Sequence, residues 1–189
     1  MILDDDLNVC LSGGADGADL QWGMTAGKLG HKVIHFVFAE HKSKAPESEK
    51  VVLTETQLLE ADDSLEKANL TLKRRWPSTN RFVSSLLRRN YFQIRWAESL
   101  YAVSSIEKGL VTGGTSWAVQ MFLDRFEGKP SAAYVYDQET ASWYKWEGFW
   151  AIIDVPPIPT GIWAGIGSRE LKQNGKNAIR DLMGYQVGN

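Results

Sequence analysis

A glycine-rich turn near the start of the chain constrains the fold more than any other feature. This turn, Ser-Gly-Gly-Ala-Asp-Gly-Ala-Asp at residues 12–19, follows a short apolar run at residues 8–11 and precedes apolar residues at helical spacing that continue to Gly30. The next segment, residues 32–38, is β-branched and aromatic with little charge, as in a strand covered on both faces. These segments predict a βαβ unit and a parallel sheet.

The rest of the chain continues the alternation of strands and helices. Residues 39–60 are charged and mixed and predict a surface excursion, which could be a lid, an interface or plain surface. A second glycine turn at residues 112–116 opens a helix that ends at Gly128. Further strands are expected at residues 100–104, 132–136, 142–146 and 162–166, and further helices at about residues 54–74, 79–98 and 168–183.

The composition favours one domain and excludes two classes of partner. With 189 residues, of which 43% are hydrophobic, the chain can bury the core of one domain, which we expect to span residues 1–189. The formal net charge is −2 and both signs are interspersed, which argues against polymeric nucleic acid as a partner. No apolar run approaches membrane-spanning length and no signal-peptide pattern is present, so no membrane partner is expected.

The cysteine and histidine content argues against a metal site. Cys10 is the only cysteine, which excludes an intrachain disulfide and a thiolate cluster and favours a reducing, cytoplasmic location. The three histidines fall near one strand, with His31 and His35 four residues apart on the same strand face. We therefore expect no metal and no cofactor.

Three glycine turns follow strands, at residues 12–19, 112–116 and 165–169. In a parallel sheet such turns gather at one edge, where helix N-termini present unpaired N–H groups that bind anions. A single turn of this kind is more often simple chain reversal. Three of them, flanked by polar residues that chain reversal does not require, predict a site for a phosphate-bearing ligand.

The motifs together resemble the SLOG superfamily. They are the turn at 12–19, Arg89-Asn90-Tyr91, Gly-Gly-Thr-Ser-Trp-Ala-Val-Gln at 113–120, Tyr-Val-Tyr-Asp-Gln at 134–138 and Ala-Gly-Ile-Gly-Ser-Arg at 164–169. That superfamily includes Lonely Guy phosphoribohydrolases, the DNA-processing protein A fold and many small bacteriophage proteins. The resemblance covers nearly the whole chain outside residues 39–73. It implies a Rossmann-like α/β domain with a mostly parallel sheet and helices on both faces, often a homodimer, that binds a small nucleotide-derived molecule.

Taken together, the resemblance and the turns assign a set of ligand-binding residues. Two of these have a second interpretation: Trp117 is a platform for a base or a core residue, and Arg169 contacts an anion or pairs with a carboxylate. The set comprises Ser12, Gly13, Gly14, Ala15, Gly17, Asp19, Asn90, Gly113, Gly114, Thr115, Ser116, Trp117, Gly165, Gly167, Ser168 and Arg169.

The order of the motifs differs from that of the superfamily. In relatives the Gly-Ser-Arg strand comes first, whereas here it lies at the C-terminal end. This order resembles a circular permutation, which compact domains with neighbouring termini tolerate. The alternative is that the C-terminal strand completes the sheet of a neighbouring subunit by swapping, and we favour the arrangement within one chain.

The catalytic residues of the Lonely Guy signature are only half retained. Arg89 matches the arginine of that family, whereas Gln120 stands where the family has its glutamate. A carboxylate stabilises the oxocarbenium-like state of glycosidic cleavage, and glutamine does this poorly, although it can bond ribose hydroxyls. We therefore expect a protein that senses or sequesters its ligand, as a phage protein acting on a host nucleotide signal would.

Two rival functions stay open. The first is an N-glycosidic hydrolase or transferase acting on nucleoside monophosphates, with a relocated carboxylate. Candidates for that carboxylate, which could equally cap helices or be solvated, are Asp16, Asp19, Asp137 and Glu170. The second is a scaffold protein whose glycine turns hold no ligand.

Overall fold

Strands and helices alternate along residues 7–184, the part of the chain that the computed structural model describes. The strands are β1 (Val9–Ser12), β2 (Lys32–Phe38), β3 (Lys50–Leu53), β4 (Ser99–Ser104), β5 (Ile106–Glu107), β6 (Leu110–Val111), β7 (Ala133–Asp137), β8 (Ser142–Trp146), β9 (Trp150–Ile153) and β10 (Ile162–Gly167). The helices are α1 (Ala18–Lys28), α2 (Glu55–Leu59), α3 (Asp62–Leu72), α4 (Arg81–Ile94), α5 (Thr115–Arg125) and α6 (Gln173–Leu182). Within these residues no helix has the length and apolarity needed to cross a membrane.

Eight of the strands form one sheet in the order β3-β2-β1-β10-β4-β7-β8-β9. The first six pair in parallel, and β8 and β9 extend the sheet as antiparallel strands. The predicted α/β fold with a mostly parallel sheet is therefore confirmed. Strand β10 comes from the C-terminal end of the chain but lies in the middle of the chain's own sheet, where Ala164 is opposite both Leu11 and Leu100.

Both faces of the sheet are covered by helices. Neighbouring residues of β1 show this directly, because Cys10 belongs to the core formed with α1 and α6, whereas Leu11 belongs to the core formed with α3, α4 and α5. Trp22 and Trp163, both fully buried, meet edge to face at 5.5 Å in the first core. The parallel strands therefore lie between two helical layers, with a core on each face.

Residues 39–60 are not only the surface excursion that the sequence predicts. They include β3, a short edge strand whose Val51 and Val52 are 41% and 60% exposed. The sequence pattern concealed this strand because it is short and has charged residues on both sides. The single helix predicted at 54–74 is likewise two helices, α2 and α3, with a break at Glu60 and Ala61.

The last helix also begins later than predicted. The sequence places its start at Ser168, but α6 begins at Gln173. The side chain of Gln138 accounts for the difference, because its Oε1 accepts a bond from the N–H of Lys172 at 2.7 Å and its Nε2 donates to the carbonyl of Glu170 at 3.1 Å. The side chain of Gln138, which follows β7, therefore holds the chain after the Gly-Ser-Arg turn at residues 167–169. That turn does not lie at a helix N-terminus.

Candidate functional site

A cavity of about 550 Å³ lies at the carboxyl edge of the sheet, where the turns after β1 and β10 meet the start of α5. Helix α4 forms its opposite wall with Val83, Leu86 and Leu87. The sequence-predicted site residues that line the cavity are Ala15, Asp19, Arg89, Asn90, Gly113, Gly114, Thr115, Gly167, Ser168 and Arg169. The structure therefore brings parts of all three glycine turns to one place, as the strand-end argument expects.

A buried ion pair between Arg89 and Asp19 lines this cavity. Arg89 Nη1 donates to Asp19 Oδ2 at 3.1 Å, and both side chains are at most 6% exposed. Gln93, four residues after Arg89 on α4, donates from Nε2 to the same oxygen at 3.3 Å. The backbone N–H of Gly167 donates to Asp19 Oδ1 at 3.1 Å. This pair thus connects α1, α4 and the turn after β10.

Burial and pairing act on these two charges in opposite directions. Burial raises the pKa of the Asp19 carboxyl, and the Arg89 guanidinium and the N–H groups of Gly167 and Ala15 oppose that rise. Burial lowers the pKa of Arg89, and Asp19 opposes that change. A guanidinium keeps its proton in proteins, so Arg89 is a fixed cation in the cavity wall. Its Nε atom is buried without a hydrogen-bond partner among the described residues.

The first glycine turn is occupied by other parts of the chain. A Cβ on Gly13 would lie 1.1 Å from Arg89 Nη1, so glycine is required there for the guanidinium to approach. Gly17, with φ +93°, lies against the backbone carbonyl of Arg169. Ser43 covers the other side of the turn, where its Oγ donates to the carbonyl of Gly14 at 2.6 Å. All three glycines of this turn, Gly13, Gly14 and Gly17, thus accommodate other parts of the chain.

Asp19 places a carboxylate at the N-terminal turn of α1, where the sequence interpretation expects a ligand phosphate. Ser12 is also structural, because its fully buried Oγ donates to the carbonyl of Gly165 at 2.6 Å. Gly165 itself packs against the ring of Trp22. Ser12 and Gly165 therefore support the cavity wall from behind, whereas Asp19 is part of the wall.

The second glycine turn is open. No atom lies within 4 Å of where a Cβ would stand on Gly113 or Gly114. Gly114 is the N-cap of α5 and provides no side-chain cap, so the first N–H groups of this helix have no side-chain capping oxygen. The turn is held from outside by Arg74, whose Nη1 donates to the carbonyl of Gly113 and to Ser116 Oγ, each at 2.8 Å.

The third turn contributes hydroxyl and cationic groups. Ser168 Oγ bonds Ser104 Oγ at 3.0 Å, and the Ser168 N–H donates to the carbonyl of Val103. Arg169 is exposed at the cavity and forms no ion pair with any residue in the described range 7–184. The sequence left two roles open for Arg169, contact with an anion and pairing with a carboxylate. No carboxylate of residues 7–184 pairs with it.

Eight predicted site residues do not line this cavity: Ser12, Gly13, Gly14, Gly17, Ser116, Trp117, Gly165 and Gln120. Gln120 lies at a separate cavity of about 170 Å³, and its Nε2 donates to Asp124 at 2.8 Å. Ala118 faces the main cavity, and a residue two positions later is rotated by roughly 200° around the helix axis. Arg89 and Gln120 are therefore not brought together as a catalytic pair. Trp117 is 3% exposed and packs 5.9 Å from Trp76, so it is a core residue and not a base platform.

The charges that line the cavity balance. The three cationic residues are Arg89, Arg169 and Lys172, and the three anionic residues are Asp19, Glu139 and Glu170. Two of the cations are already paired, Arg89 with Asp19 and Lys172 with Glu139. A ligand with many negative charges would meet no net positive field here.

Sequence reasoning missed several residues that build the site. Gln138 and Gln93 position the third turn and Asp19, and Glu139 and Lys172 line the cavity. Gln138 follows β7 directly at the carboxyl edge, and Gln93 lies one helical turn after Arg89, so both carried a positional signal. Their partners could not be identified from spacing.

Comparisons of this chain with protein-family models, with curated proteins and with solved structures found no match. No group of three or more histidine, cysteine, aspartate or glutamate side chains within residues 7–184 has the arrangement of a metal site.

Proposed function

We propose that the cavity at the carboxyl edge of the sheet binds a small, phosphate-bearing, nucleotide-derived ligand, and that the protein senses or sequesters this ligand. The observation that carries the proposal is Arg89, a buried cation that lines the cavity with an unpartnered Nε atom. Buried polar atoms almost always have a partner, and a guanidinium with an unused donor beside the cavity supports an anionic ligand there. Arg169 adds a cation without an ion-pair partner among residues 7–184.

The phosphoryl group belongs at the start of α5. Gly113 and Gly114 leave open space there, and the helix N-terminus supplies N–H donors and a favourable dipole. The α1 N-terminus already carries the Asp19 carboxylate, and the charges of the lining balance. A ligand with one phosphoryl group therefore fits better than a polyphosphate. Val83, Leu86 and Leu87 offer an apolar wall for its remaining part.

We further propose that the domain is a Rossmann-like, permuted relative of the SLOG superfamily. In support, β10 lies next to β1 in the centre of the sheet, which is the place that a strand preceding β1 would take. As part of this proposal, the protein is a homodimer in the cytoplasm. It is also a phage protein that captures a nucleotide signal of the host. Light scattering of the purified chain tests the dimer.

A Gly114→Asp substitution separates ligand binding from folding. The new carboxylate would lie at the N-terminus of α5, where it stabilises a helix by about 0.3–1 kcal/mol, and would repel a phosphoryl group from the same place. We expect a free energy of unfolding no lower than that of the unsubstituted protein, together with loss of binding. Thermal shifts with nucleoside monophosphates, cyclic nucleotides and ADP-ribose derivatives measure both. Gln120→Ala, outside the cavity, is the matched control and should keep full binding.

A hydrolase or transferase is the second candidate, because three carboxylates line the cavity: Asp19, Glu139 and Glu170. This candidate predicts release of free base and ribose phosphate from nucleoside monophosphates. We expect no release above the uncatalysed rate, because Arg89, Gln93 and Gly167 bond Asp19, Lys172 bonds Glu139, and Glu170 is exposed to solvent. Chromatography of the reaction products decides this. If base is released, and if both Arg89→Ala and Glu170→Gln abolish that release, the protein is an enzyme and the binding proposal is wrong.

A further inference from the structure

Strand β9 ends the eight-stranded sheet, so one of its two sides is an open edge. The sequence Phe-Trp-Ala-Ile-Ile at residues 149–153 carries no charge. Phe149 and Ile152 are 65% and 66% exposed. An open edge strand pairs readily with a strand of another chain, and proteins usually protect such edges with charged residues or proline. The β9 edge has neither of these within residues 149–153.

The edge strand at the other end of the sheet, β3, has this protection. It contains Lys50, whose Nζ donates to the carbonyl of Ser43 at 3.0 Å. Glu49 lies directly before the strand, and Glu55 begins α2 just after it. The two edges of the sheet therefore differ, and β9 is the one whose side chains suit contact with another chain.

Two backbone hydrogen bonds show how β8 is oriented beside β9. The N–H of Glu147 donates to the carbonyl of Phe149 at 2.9 Å, across the turn that joins the two strands. The carbonyl of Trp146 instead accepts from the N–H of Ser131, on the β7 side. The backbone groups of Glu147 thus face β9, and those of Trp146 face away from it.

The same alternation fixes which groups of β9 face the open edge. Hydrogen bonding alternates from residue to residue along an antiparallel pair, so Lys145, two residues before Glu147, also bonds β9. Its partner in the register is Ala151. The N–H and C=O groups of Trp150 and Ile152 therefore point away from β8, toward the open edge of the sheet.

The sequence around Ala151 is self-complementary. If a two-fold axis passes through Ala151, Trp150 lies opposite Ile152 of a second copy, and Phe149 lies opposite Ile153 of that copy. Pairs of an aromatic and a β-branched residue stabilise neighbouring antiparallel strands. The outward N–H and C=O groups of Trp150 and Ile152 bond each other in this register. Ala151 meets itself at a closely spaced pair, where its small side chain fits.

The charges at the two ends of this segment do not oppose pairing. In the same register Glu147 lies opposite Val155 of the second copy, and Asp154 lies opposite Gly148 of that copy. No carboxylate is therefore placed directly across from another, which would be unfavourable. The uncharged segment and its flanking acids both fit a second copy of this chain.

We propose that β9 pairs antiparallel with β9 of a second copy, about a two-fold axis at Ala151, and joins the two sheets into one. This inference rests on the homodimer of the proposed function and assigns the surface through which it forms. Exposed Ile152 is then covered by Trp150 of the second copy. No residue of β8 or β9 lines the main cavity, so ligand binding does not depend on this contact.

Ala151→Cys tests the register. The Cα atoms of a closely spaced antiparallel pair are about 4.5 Å apart, within the range that a disulfide spans. We expect oxidation to convert most of this variant to a covalent dimer on a denaturing gel without reductant. The native cysteine, Cys10, is fully buried and should not react. Val52→Cys, on the exposed part of β3, is the matched control and should stay largely monomeric on the gel.

Ile152→Pro tests the backbone bonds. Proline has no N–H to donate across the two-fold axis, but at this position the N–H takes no part in the β8–β9 ladder. The thermal midpoint should therefore change little. Light scattering over a concentration series should show twice the mass of one chain for the unsubstituted protein and for Ile152→Val, and the mass of one chain for Ile152→Pro.

The proposal is overturned if Ala151→Cys forms no more covalent dimer than Val52→Cys, or if Ile152→Pro is still a dimer. It is also overturned if the unsubstituted protein is a monomer at every concentration, and the homodimer of the proposed function then fails with it. A dimer without the cross-link would overturn this surface alone. Thermal shift with the nucleotide panel measures ligand binding separately in each case.

Discussion

Replacing Arg89 by methionine is expected to abolish ligand binding and to lower the free energy of unfolding by about 3–5 kcal/mol. The guanidinium is almost fully buried and donates to Asp19 at 3.1 Å, so its removal leaves a buried carboxylate without its counter-ion. Chemical denaturation measures the loss of stability, and thermal shift with the nucleotide panel measures the loss of binding.

The neighbouring arginine provides a matched control. Arg88 also bonds an aspartate, Asp62, but both side chains are partly exposed. Arg88→Met should therefore cost only about 0–1 kcal/mol and leave ligand binding intact. The double variant Asp19→Asn/Arg89→Met should recover part of the stability that Arg89→Met loses, because no charge is then left unpaired. Equal stabilities of Arg88→Met and Arg89→Met would contradict the role assigned to the buried pair.

A single methyl group at Gly13 is expected to have an effect nearly as large. The Cβ of alanine would lie 1.1 Å from Arg89 Nη1 and 2.6 Å from Asp19 Oδ2, so the guanidinium must leave its place. We expect Gly13→Ala to lower the free energy of unfolding by about 3 kcal/mol, by breaking the buried pair, and to weaken ligand binding in parallel. Chemical denaturation and thermal shift again measure both effects.

Gly114→Ala is the control for this second prediction, because nothing lies within 4 Å of its Cβ position. It should change the free energy of unfolding by less than about 1 kcal/mol. The cost of Gly13→Ala should also shrink in an Arg89→Ala background, where the guanidinium is absent. If the cost is the same in both backgrounds, Gly13 has another role than making room for Arg89.

The sequence was informative where a pattern is local. Residues 32–38 have the β-branched, low-charge pattern of a covered strand, and β2 has these bounds. The strand-to-turn order also predicted which turns would meet, because parallel strands end at one edge of the sheet. The mostly parallel sheet and the convergence of Asp19, Gly114 and Arg169 on one cavity follow from these two rules.

The features that the sequence did not predict depend on tertiary partners. Gln120 has the spacing of a site residue along the chain, but the rotation of α5 turns it toward Asp124. The glycine at position 13 fits a phosphate cradle equally well, and only the structure shows that Arg89 fills the space. The late start of α6 depends on Gln138, a residue more than thirty positions earlier. Such contacts between distant residues have no signal in local spacing.

Mass spectrometry of the small molecules released from natively purified protein tests the central claim most directly. The unsubstituted protein should release a nucleotide-derived molecule with a phosphoryl group, in an amount that rises with protein concentration. Gly114→Asp, purified in the same way and equally stable, should release none of it. The claim is contradicted if the unsubstituted protein carries no such molecule, or if Gly114→Asp carries the same amount.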